Sequence, residues 1–189
     1  RCIQLKTTGE GVIKGEKNSL SGYDTYRGTK HYFYLEFDKA PTSFIEKNIA
    51  DTAVICAQFG TELEQLGIRY GISYISIEQA KKNLNKEIND YNLQALAQAA
   101  RAAWNKALGK IKVEGSTEDE KITFYTALYR SHERMINISE DGKYYSGFDG
   151  KIHDDEGIPF WTDDWAWDTY HALHPLQIIV HMNFIMCTG

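Results

Sequence analysis

Residues 1–76 contain short segments in which aromatic and β-branched residues run together or in which apolar and polar positions alternate. Residues 32–37 and 52–59 are of the first kind, and residues 68–75 alternate with a period of two. Such segments are typical of β-strands, and the Gly, Asp and Pro residues between them are typical of turns. Because no helical pattern separates these segments, they predict an antiparallel β-sandwich.

The spacing of apolar residues changes from a strand pattern to a helical pattern at Ser76. This residue begins a capping box, in which a hydroxyl accepts from the backbone N–H three residues on and a glutamine side chain returns to the cap. Asp90 or Asn92 is positioned to cap a second helix, which Gly109 would end. Apolar side chains recur at helical spacing through both segments: Ala80, Leu84, Ile88, Tyr91, Leu93, Leu96, Ala100, Ala103, Trp104 and Leu108.

Two further helices are predicted in the last part of the chain, separated by a long polar segment. The third helix would begin at Thr117, which starts another capping box. Residues 139–160 are polar and rich in glycine, so we predict a loop there. The fourth helix would begin at Asp163 or Asp164 and run toward Pro175, which is expected to kink or end it.

Composition and charge exclude several functional classes. The net charge of −5 leaves no basic patch to release phosphate counterions, so a neutral polar ligand is expected rather than nucleic acid. The apolar run at residues 178–187 is far shorter than the ~20 residues that cross a bilayer, so no membrane span is predicted. Cys2, Cys56 and Cys187 are odd in number and widely spaced, which predicts free or buried thiols rather than a disulfide framework.

The strongest candidate for a binding site is residues 160–170, which contain three Trp and three Asp. Sugars present apolar C–H faces, which suit indole rings, and rims of hydroxyls, which donate paired hydrogen bonds to carboxylates. On a helix that begins near residue 163, Asp164, Asp168 and His171 would share one face and converge. The segment therefore favours a carbohydrate site.

A purely structural interpretation of the same residues is also open. Asp163 or Asp164 would stabilise a helix start whether or not it binds a ligand. Some of the three Trp residues would pack in the core, because they cannot all face one ligand. Asp168 lies between Trp167 and Tyr170 in mid-helix, where a carboxylate is a poor packing residue, and so it favours a polar site.

A second cluster imitates a metal site. His153, Asp154 and Asp155, together with His171 or His174, supply the residue types of a site with two histidines and one carboxylate. They would lie on a loop and a helix without the sheet that usually supports such a site. Chance is the better explanation, and no metal ligand is predicted in this sequence.

Several of these segments together resemble glycoside hydrolase family 92 in their order and spacing. The pattern around the Trp-Asp-Thr-Tyr sequence, followed by His-Pro-Leu, is the most specific part of the resemblance. Residues 71–76 and 104–108 are similar to the end of the family's sandwich and to its linker. The segments that carry the main resemblance are residues 123–130, 141–145, 148–153, 162–170 and 172–176.

The resemblance implies a multidomain α+β fold that is incomplete in this sequence. Members of the family have an N-terminal β-sandwich, linker helices and an (α/α)6 barrel. Residues 1–76 would then be the C-terminal part of the sandwich domain, residues 77–116 the helical linker, and residues 117–189 the truncated start of the catalytic barrel. We expect a fragment of a larger enzyme.

The resemblance also implies an activity, a cofactor and site residues. Family members are exo-acting, calcium-dependent α-mannosidases that invert the anomeric centre, so an α-mannoside glycan is the expected substrate. The residue matching Asp168 lines the terminal-mannose subsite, so we expect Asp168, Trp167 and Asp164 to bind substrate. The catalytic acid, the base and the calcium ligands are expected beyond residue 189, so the fragment alone should be inactive. His171 stands where the family usually has Arg, and no guanidinium contact to substrate is expected there.

Alternative functions remain open at this point. A non-catalytic carbohydrate-binding module could use the same Trp and Asp residues, and a structural fragment could use the aromatic residues only for packing. The resemblance implies a secreted or periplasmic protein.

Overall fold

A computed structural model describes residues 1–180 of the chain. These residues form two compact units. The first comprises residues 1–91 and 143–153, and the second comprises residues 92–142 and 154–180. Antiparallel sheets come first along the chain and helices follow, which confirms the predicted α+β class. In this part of the chain, every helix is too short or too polar to cross a bilayer.

Residues 1–73 of the first unit form two antiparallel sheets. One has the strand order β1-β6-β5 and the other has the order β2-β3-β4-β7. Ladders between consecutive strands dominate, as expected for strands joined by short turns. The strands are β1 (Cys2–Lys6), β2 (Gly11–Glu16), β3 (Ser19–Tyr26), β4 (Thr29–Phe37), β5 (Ser43–Ile49), β6 (Thr52–Gln58) and β7 (Ile68–Ser73).

The hydrophobic core of the first unit lies between these two sheets. Leu20 and Phe37 come from the four-stranded sheet and Ile55 from the three-stranded sheet, and all three side chains are fully buried. Phe37 packs edge to face on Phe59, with ring centroids 5.2 Å apart. Burying each such side chain contributes about 1.5–3 kcal/mol, so this cluster is a main source of stability for the sandwich.

A first helix packs directly on the four-stranded sheet. Helix α1 (Ile77–Glu87) begins where Ser76 Oγ accepts from the backbone N–H of Gln79 at 3.1 Å, as predicted. The Gln79 side chain donates to Asn83 Oδ1 at 3.0 Å. Any Cβ at Gly71 of β7 would lie 2.3 Å from the carbonyl oxygen of Ala80, so only glycine lets helix and strand approach this closely.

The end of α1 is tied to the sheet by a guanidinium. Arg69 of β7 donates to Glu36 of β4 from two nitrogens, one of them at 3.0 Å, and to the carbonyl oxygen of Ile88 at 2.6 Å. Burial opposes the charged form, but the hydrogen bonds to Glu36 and Tyr91 outweigh it and raise the pKa of Arg69 above its ordinary value. The clamp therefore joins the helix end to two strands.

A disulfide joins Cys2 and Cys56, so the expectation of free thiols is wrong for these two residues. Strands β1 and β6 pair antiparallel with Cys2 opposite Gln58 and Gln4 opposite Cys56. The two cysteines are diagonal neighbours, and their Cα atoms lie 5.9 Å apart, within the range that a disulfide spans. The third cysteine, Cys187, lies outside the described residues.

The second unit begins with two capped helices. Helix α2 (Leu93–Leu108) is capped by Asn92, whose side chain accepts from the backbone N–H of Ala95, and Gly109 ends the helix. Helix α3 (Glu118–Arg130) has the complete capping box predicted at its start, between Thr117 and Glu120. The structure thus confirms both predicted helices and selects Asn92 over Asp90 as the cap.

Residues 139–160 are more regular than the predicted loop. Strands β9 (Lys143–Ser146) and β10 (Lys151–Asp154) form a two-stranded hairpin inside this range. In the second unit, β8 (Ile136–Asn137) pairs with β11 (Trp161–Thr162). The glycines that suggested a loop lie in the turns, where Gly142, Gly150 and Gly157 have positive φ.

The predicted fourth helix is wrong in both its start and its end. Helix α4 (Ala166–Thr169) is only four residues long, and helix α5 (Leu173–Val180) follows after a break. Asp163 cannot begin a helix because its φ of 63° is left-handed. Pro175 lies in the first turn of α5, where its missing N–H leaves no helical hydrogen bond unmade, so it does not end a helix.

Candidate functional site

The candidate site lies in the second unit, where the chain leaves the short β8–β11 ladder and enters α4. The ladder pairs Trp161 with Asn137 and Thr162 with Ile136. One position further on, Asp163 and Met135 both have left-handed backbones, with φ of 63° and 61°. Both strands therefore turn out of the ladder at the same level, which directs residues 164–169 away from it.

Asp163 organises this turn and does not cap a helix. Trp165 Nε1 donates to Asp163 Oδ1 at 2.9 Å, and Arg134 Nη1 lies 3.6 Å from the same oxygen. The guanidinium carbon of Arg134 also lies 4.6 Å from the centre of the Trp165 ring. The cap position of α4 is occupied by Trp165, which makes no side-chain cap hydrogen bond. The capping role that the sequence left open for Asp163 is therefore excluded.

Asp164 joins α4 to the beginning of α5. Its Oδ1 accepts from the hydroxyl of Thr169 at 2.8 Å, and its Oδ2 lies 3.2 Å from His174 Nε2. Thr169 is buried, whereas the Asp164 side chain is 35% exposed. Asp164 thus uses part of its hydrogen-bonding capacity within the protein and keeps part of its surface accessible.

Trp167 and Asp168 lie on the surface of the α4 turn. The Trp167 residue is 85% exposed, and Asp168 is exposed beside it. The Trp167 ring leans toward Tyr170, with centroids 6.3 Å apart. An exposed indole and a neighbouring exposed carboxylate can together contact the C–H face and the hydroxyls of a sugar.

The predicted convergence of Asp164, Asp168 and His171 rested on one continuous helix, and the break after Thr169 removes that basis. Asp164 pairs with His174, and the His171 ring lies against Tyr170 with centroids 3.8 Å apart. The predicted binding residues therefore form an exposed pair, Trp167 and Asp168, with Asp164 holding the turn beneath.

The cluster that imitated a metal site has a structural explanation. His153 Nε2 lies 2.9 Å from Asp149 Oδ2, and the His153 ring stacks on Tyr144 with centroids 5.5 Å apart. Burial alone would raise the pKa of Asp149, but hydrogen bonds from the Lys151 backbone and the His153 ring outweigh it and lower that pKa. Asp155 accepts from the backbone N–H of Gly157 at 2.9 Å. Within residues 1–180, no three His, Cys, Asp or Glu side chains group as a metal site would require.

A mostly apolar cavity of about 380 Å³ lies in the second unit. The cavity is lined by residues of α2, β11 and α5 and of the segment after α3, among them Trp104, His132, Arg134, Met135, Trp161 and Gln177. Trp167 and Asp168 do not line it. Sequence reasoning did not single out this cavity, although helical spacing places Ala103, Trp104 and Ala107 of α2 together.

Comparison with known proteins decides the family. A family model described as the glycosyl hydrolase family 92 catalytic domain matches residues 79–185, more than half of the chain. This chain belongs to glycoside hydrolase family 92. The match confirms the resemblance found in the sequence, and it begins within α1 and runs through the candidate site.

Solved structures of the same family share this fold. The inverting family 92 mannosidase BT2199 of Bacteroides thetaiotaomicron is 30% identical with a TM-score of 0.80, over 93% of this chain and 27% of that one. The family 92 α-mannosidase BT3965 of the same organism is 25% identical with a TM-score of 0.77, over 93% of this chain and 28% of that one. An uncharacterized secreted glycosidase of Arthroderma benhamiae is 34% identical over 71 residues, 35% of this chain and 9% of that protein.

The family 92 chain described here thus spans about a quarter of the length of these solved structures. Its sheets and following helices match the sandwich and the start of the helical domain in the family fold. The domain boundaries predicted at residues 76 and 116 stay a prediction. Helix α1, which they assign to the linker, belongs to the first compact unit.

Proposed function

We propose that this family 92 chain is part of an exo-acting α-mannosidase that releases terminal α-linked mannose from glycans with inversion at the anomeric carbon. The observation that carries the proposal is local: Trp167 and Asp168 are exposed together on the α4 turn, in the most specific segment of the family pattern. The likeness of 93% of this chain to part of a solved inverting mannosidase supports it.

In this proposal the described residues bind the sugar and do not break the bond. Asp168 accepts hydrogen bonds from neighbouring hydroxyls of the terminal mannose, and Trp167 covers a C–H face of the ring. Asp164 holds the turn through Thr169 and His174. An inverting glycosidase also needs an acid and a base whose carboxyl groups lie roughly 6.5–9.5 Å apart. We assign both to residues outside the 189 of this chain.

We propose that the whole enzyme depends on calcium, with the ion bound, like the acid and the base, outside the described residues. Calcium prefers clusters of carboxylate and other oxygen ligands, and no three His, Cys, Asp or Glu side chains group in this way among residues 1–180. The ion is therefore assigned to residues outside this part of the chain.

We also propose a secreted or periplasmic location. A disulfide between Cys2 and Cys56 forms and persists in an oxidising compartment, which favours export. The relative from Arthroderma benhamiae is named as a secreted glycosidase. Fractionation of the native cells checks the location: recovery of the protein with oxidised cysteines outside the cytoplasm supports it, and a reduced cytoplasmic protein contradicts it.

The decisive experiment measures hydrolysis by the polypeptide as the cell makes it, with aryl α-mannoside, β-mannoside and α-glucoside as substrates. Only the α-mannoside should be cleaved at a useful rate. The change Asp168→Asn should lower kcat/KM by about 10- to 100-fold, because it removes a charged acceptor from the substrate hydroxyls. Asp119→Asn on the exposed first turn of α3 is the matched control and should leave kcat/KM unchanged.

Two results would overturn parts of this proposal. Equal kcat/KM for Asp168→Asn and Asp119→Asn would remove Asp168 from the substrate site. Robust hydrolysis by the 189-residue chain alone would refute the assignment of the acid and base to other residues. Calorimetry on the same chain tests the alternative function. If the chain binds mannobiose without calcium, and the polypeptide as the cell makes it does not hydrolyse mannosides, a carbohydrate-binding module would be favoured.

A further inference from the structure

The α4 turn that carries the candidate site cannot maintain its own position. It has only four residues, Ala166–Thr169, and its cap residue Trp165 makes no side-chain cap hydrogen bond. A helix this short is unstable in isolation, because the cost of nucleation exceeds the gain from so few hydrogen bonds. The position of the exposed Trp167 and Asp168 must therefore be set by contacts from outside the turn.

Arg134 supplies such a contact at the start of the turn. Its guanidinium carbon lies 4.6 Å from the centre of the Trp165 ring, and its Nη1 lies 3.6 Å from Asp163 Oδ1. The same carboxylate oxygen accepts from Trp165 Nε1 at 2.9 Å. Arg134, Asp163 and Trp165 thus form a closed group of three side chains, in which each contacts the other two.

The backbone of Trp165 transmits this contact to the candidate sugar site. Its carbonyl oxygen accepts from the N–H of Asp168 at 2.7 Å and from the N–H of Thr169 at 3.0 Å. A displacement of Trp165 would therefore displace Asp168 directly. Asp164 and Thr169 fix the other end of the turn, so Arg134 acts at the end that is otherwise uncapped.

We propose that Arg134 is a positioning residue for the sugar site: it holds Trp165 and Asp163 so that Asp168 and Trp167 meet the sugar in a fixed orientation. This inference rests on the proposed function. Arginine is suited to the role because its planar group can lie over an indole ring while its N–H groups face a carboxylate. The β8–β11 ladder begins two residues after Arg134 and ends one residue before Asp163, and so it keeps the two side chains together.

The test compares Arg134→Met with the wild-type polypeptide as the cell makes it. Methionine keeps a long apolar side chain but removes both the charge and the planar group. Hydrogen–deuterium exchange followed by mass spectrometry measures protection of the Asp168 and Thr169 amides. We expect roughly fivefold to tenfold faster exchange in α4, from the loss of one exposed cation–π contact and one exposed ion pair. Exchange in α3 and the melting temperature should not change.

The matched control is Arg130→Met, which removes the same group from the last turn of α3, where the side chain is also exposed. It should leave exchange in α4 at the wild-type rate. A second arm measures α-mannoside hydrolysis, in which Arg134→Met should raise KM by about threefold to tenfold and Arg134→Lys should not restore it.

The outcomes separate this inference from the proposed function. Equal α4 exchange in Arg134→Met and wild type, or an equal increase in Arg130→Met, overturns the role of Arg134 even if the wild type hydrolyses the mannoside. Faster α4 exchange in a protein that has no mannoside activity keeps Arg134 as the residue that positions α4, and overturns the assignment of that turn to mannose. Full restoration of KM by Arg134→Lys overturns the requirement for a planar group.

Discussion

The clamp formed by Arg69 gives the sharpest test of how the first unit is held together. Its side chain is 13% exposed, and that of its partner Glu36 is 21% exposed. The change Arg69→Met keeps most of the apolar stem but removes every hydrogen bond to Glu36 and to the Ile88 carbonyl oxygen. It leaves a largely buried carboxylate and a helix-end carbonyl without their donor.

The expected loss follows from these contacts. A hydrogen bond that involves a charged group contributes about 1.5–3 kcal/mol net, and the contributions of the several partners of Arg69 do not add fully because they share one guanidinium. Partial exposure of Glu36 allows water to replace some of the lost interaction. We expect the free energy of unfolding to fall by about 2–3 kcal/mol, and the urea midpoint by about 1–2 M.

The assay is urea unfolding followed by two signals. All four Trp residues lie in the second unit, at positions 104, 161, 165 and 167, so Trp fluorescence reports that unit alone. Far-UV circular dichroism reports the strands of the first unit as well. Arg27→Met is the control, because Arg27 is exposed and its guanidinium carbon lies 5.4 Å from the Tyr26 ring. It should change stability by less than about 0.5 kcal/mol.

A double change tests the reason for the loss. If the unpaired Glu36 carboxylate is the main cost, Arg69→Met with Glu36→Gln should recover about 1 kcal/mol relative to Arg69→Met alone. An Arg69→Met protein as stable as the Arg27→Met control would refute the clamp. A double variant less stable than the single one would refute the unpaired charge as the cause.

Two further predictions concern the same unit. The Asp24 carboxylate accepts hydrogen bonds from the hydroxyl and backbone N–H of Thr8. Burial alone would raise the pKa of Asp24, but these bonds and those from the Gly9 and Thr25 backbones outweigh it and lower the pKa below its ordinary value of 3.8. The stability from this carboxylate is therefore present above pH 3.8 and lost as the pH falls through the folded-state pKa; Asp24→Asn should remove that acid dependence from melting curves, and an unchanged pH profile would contradict it. Replacing Cys2 and Cys56 by serine should lower stability by about 2–4 kcal/mol, and addition of a reductant should lower the wild-type melting temperature but not that of the double variant. Equal wild-type melting temperatures with and without reductant would contradict the disulfide.

The three capped helices could be predicted from the sequence because their signals are local. Ser76, Asn92 and Thr117 each accept from a backbone N–H three residues on, and that geometry depends only on neighbouring residues. The alternating strands were predictable for a similar reason, since the burial pattern repeats every second residue. Family membership followed from the order of several such segments.

The fourth helix and the disulfide could not be predicted in the same way, because partners distant in sequence decide them. Asp163 carries a good helix-start signal, yet pairing of Trp161 with Asn137 places it just past the end of a ladder, where the chain adopts φ of 63°. Cys2 and Cys56 are 54 residues apart, and only the register of β1 on β6 brings them together.

The candidate site shows both cases. Residue types mark residues 160–170 as a candidate binding segment, and the family resemblance singles out Trp167 and Asp168 within it. The structure places both on the surface. Arg134 is different, because its packing on the Trp165 ring joins residues 31 positions apart and carries no sequence signal. The convergence of Asp164 and Asp168 was predicted from helical periodicity, which the break in the helix removes.

The matched left-handed residues at the end of the β8–β11 ladder limit how this site could be transplanted. A peptide copied from residues 160–171 would lack Met135 and the strand that follows it, and nothing would then hold Asp163 in its unusual conformation. A designer who grafts the candidate site onto another scaffold must therefore carry both strands across as one piece. The structural unit is a pair of segments distant in sequence, and neither adopts this conformation alone.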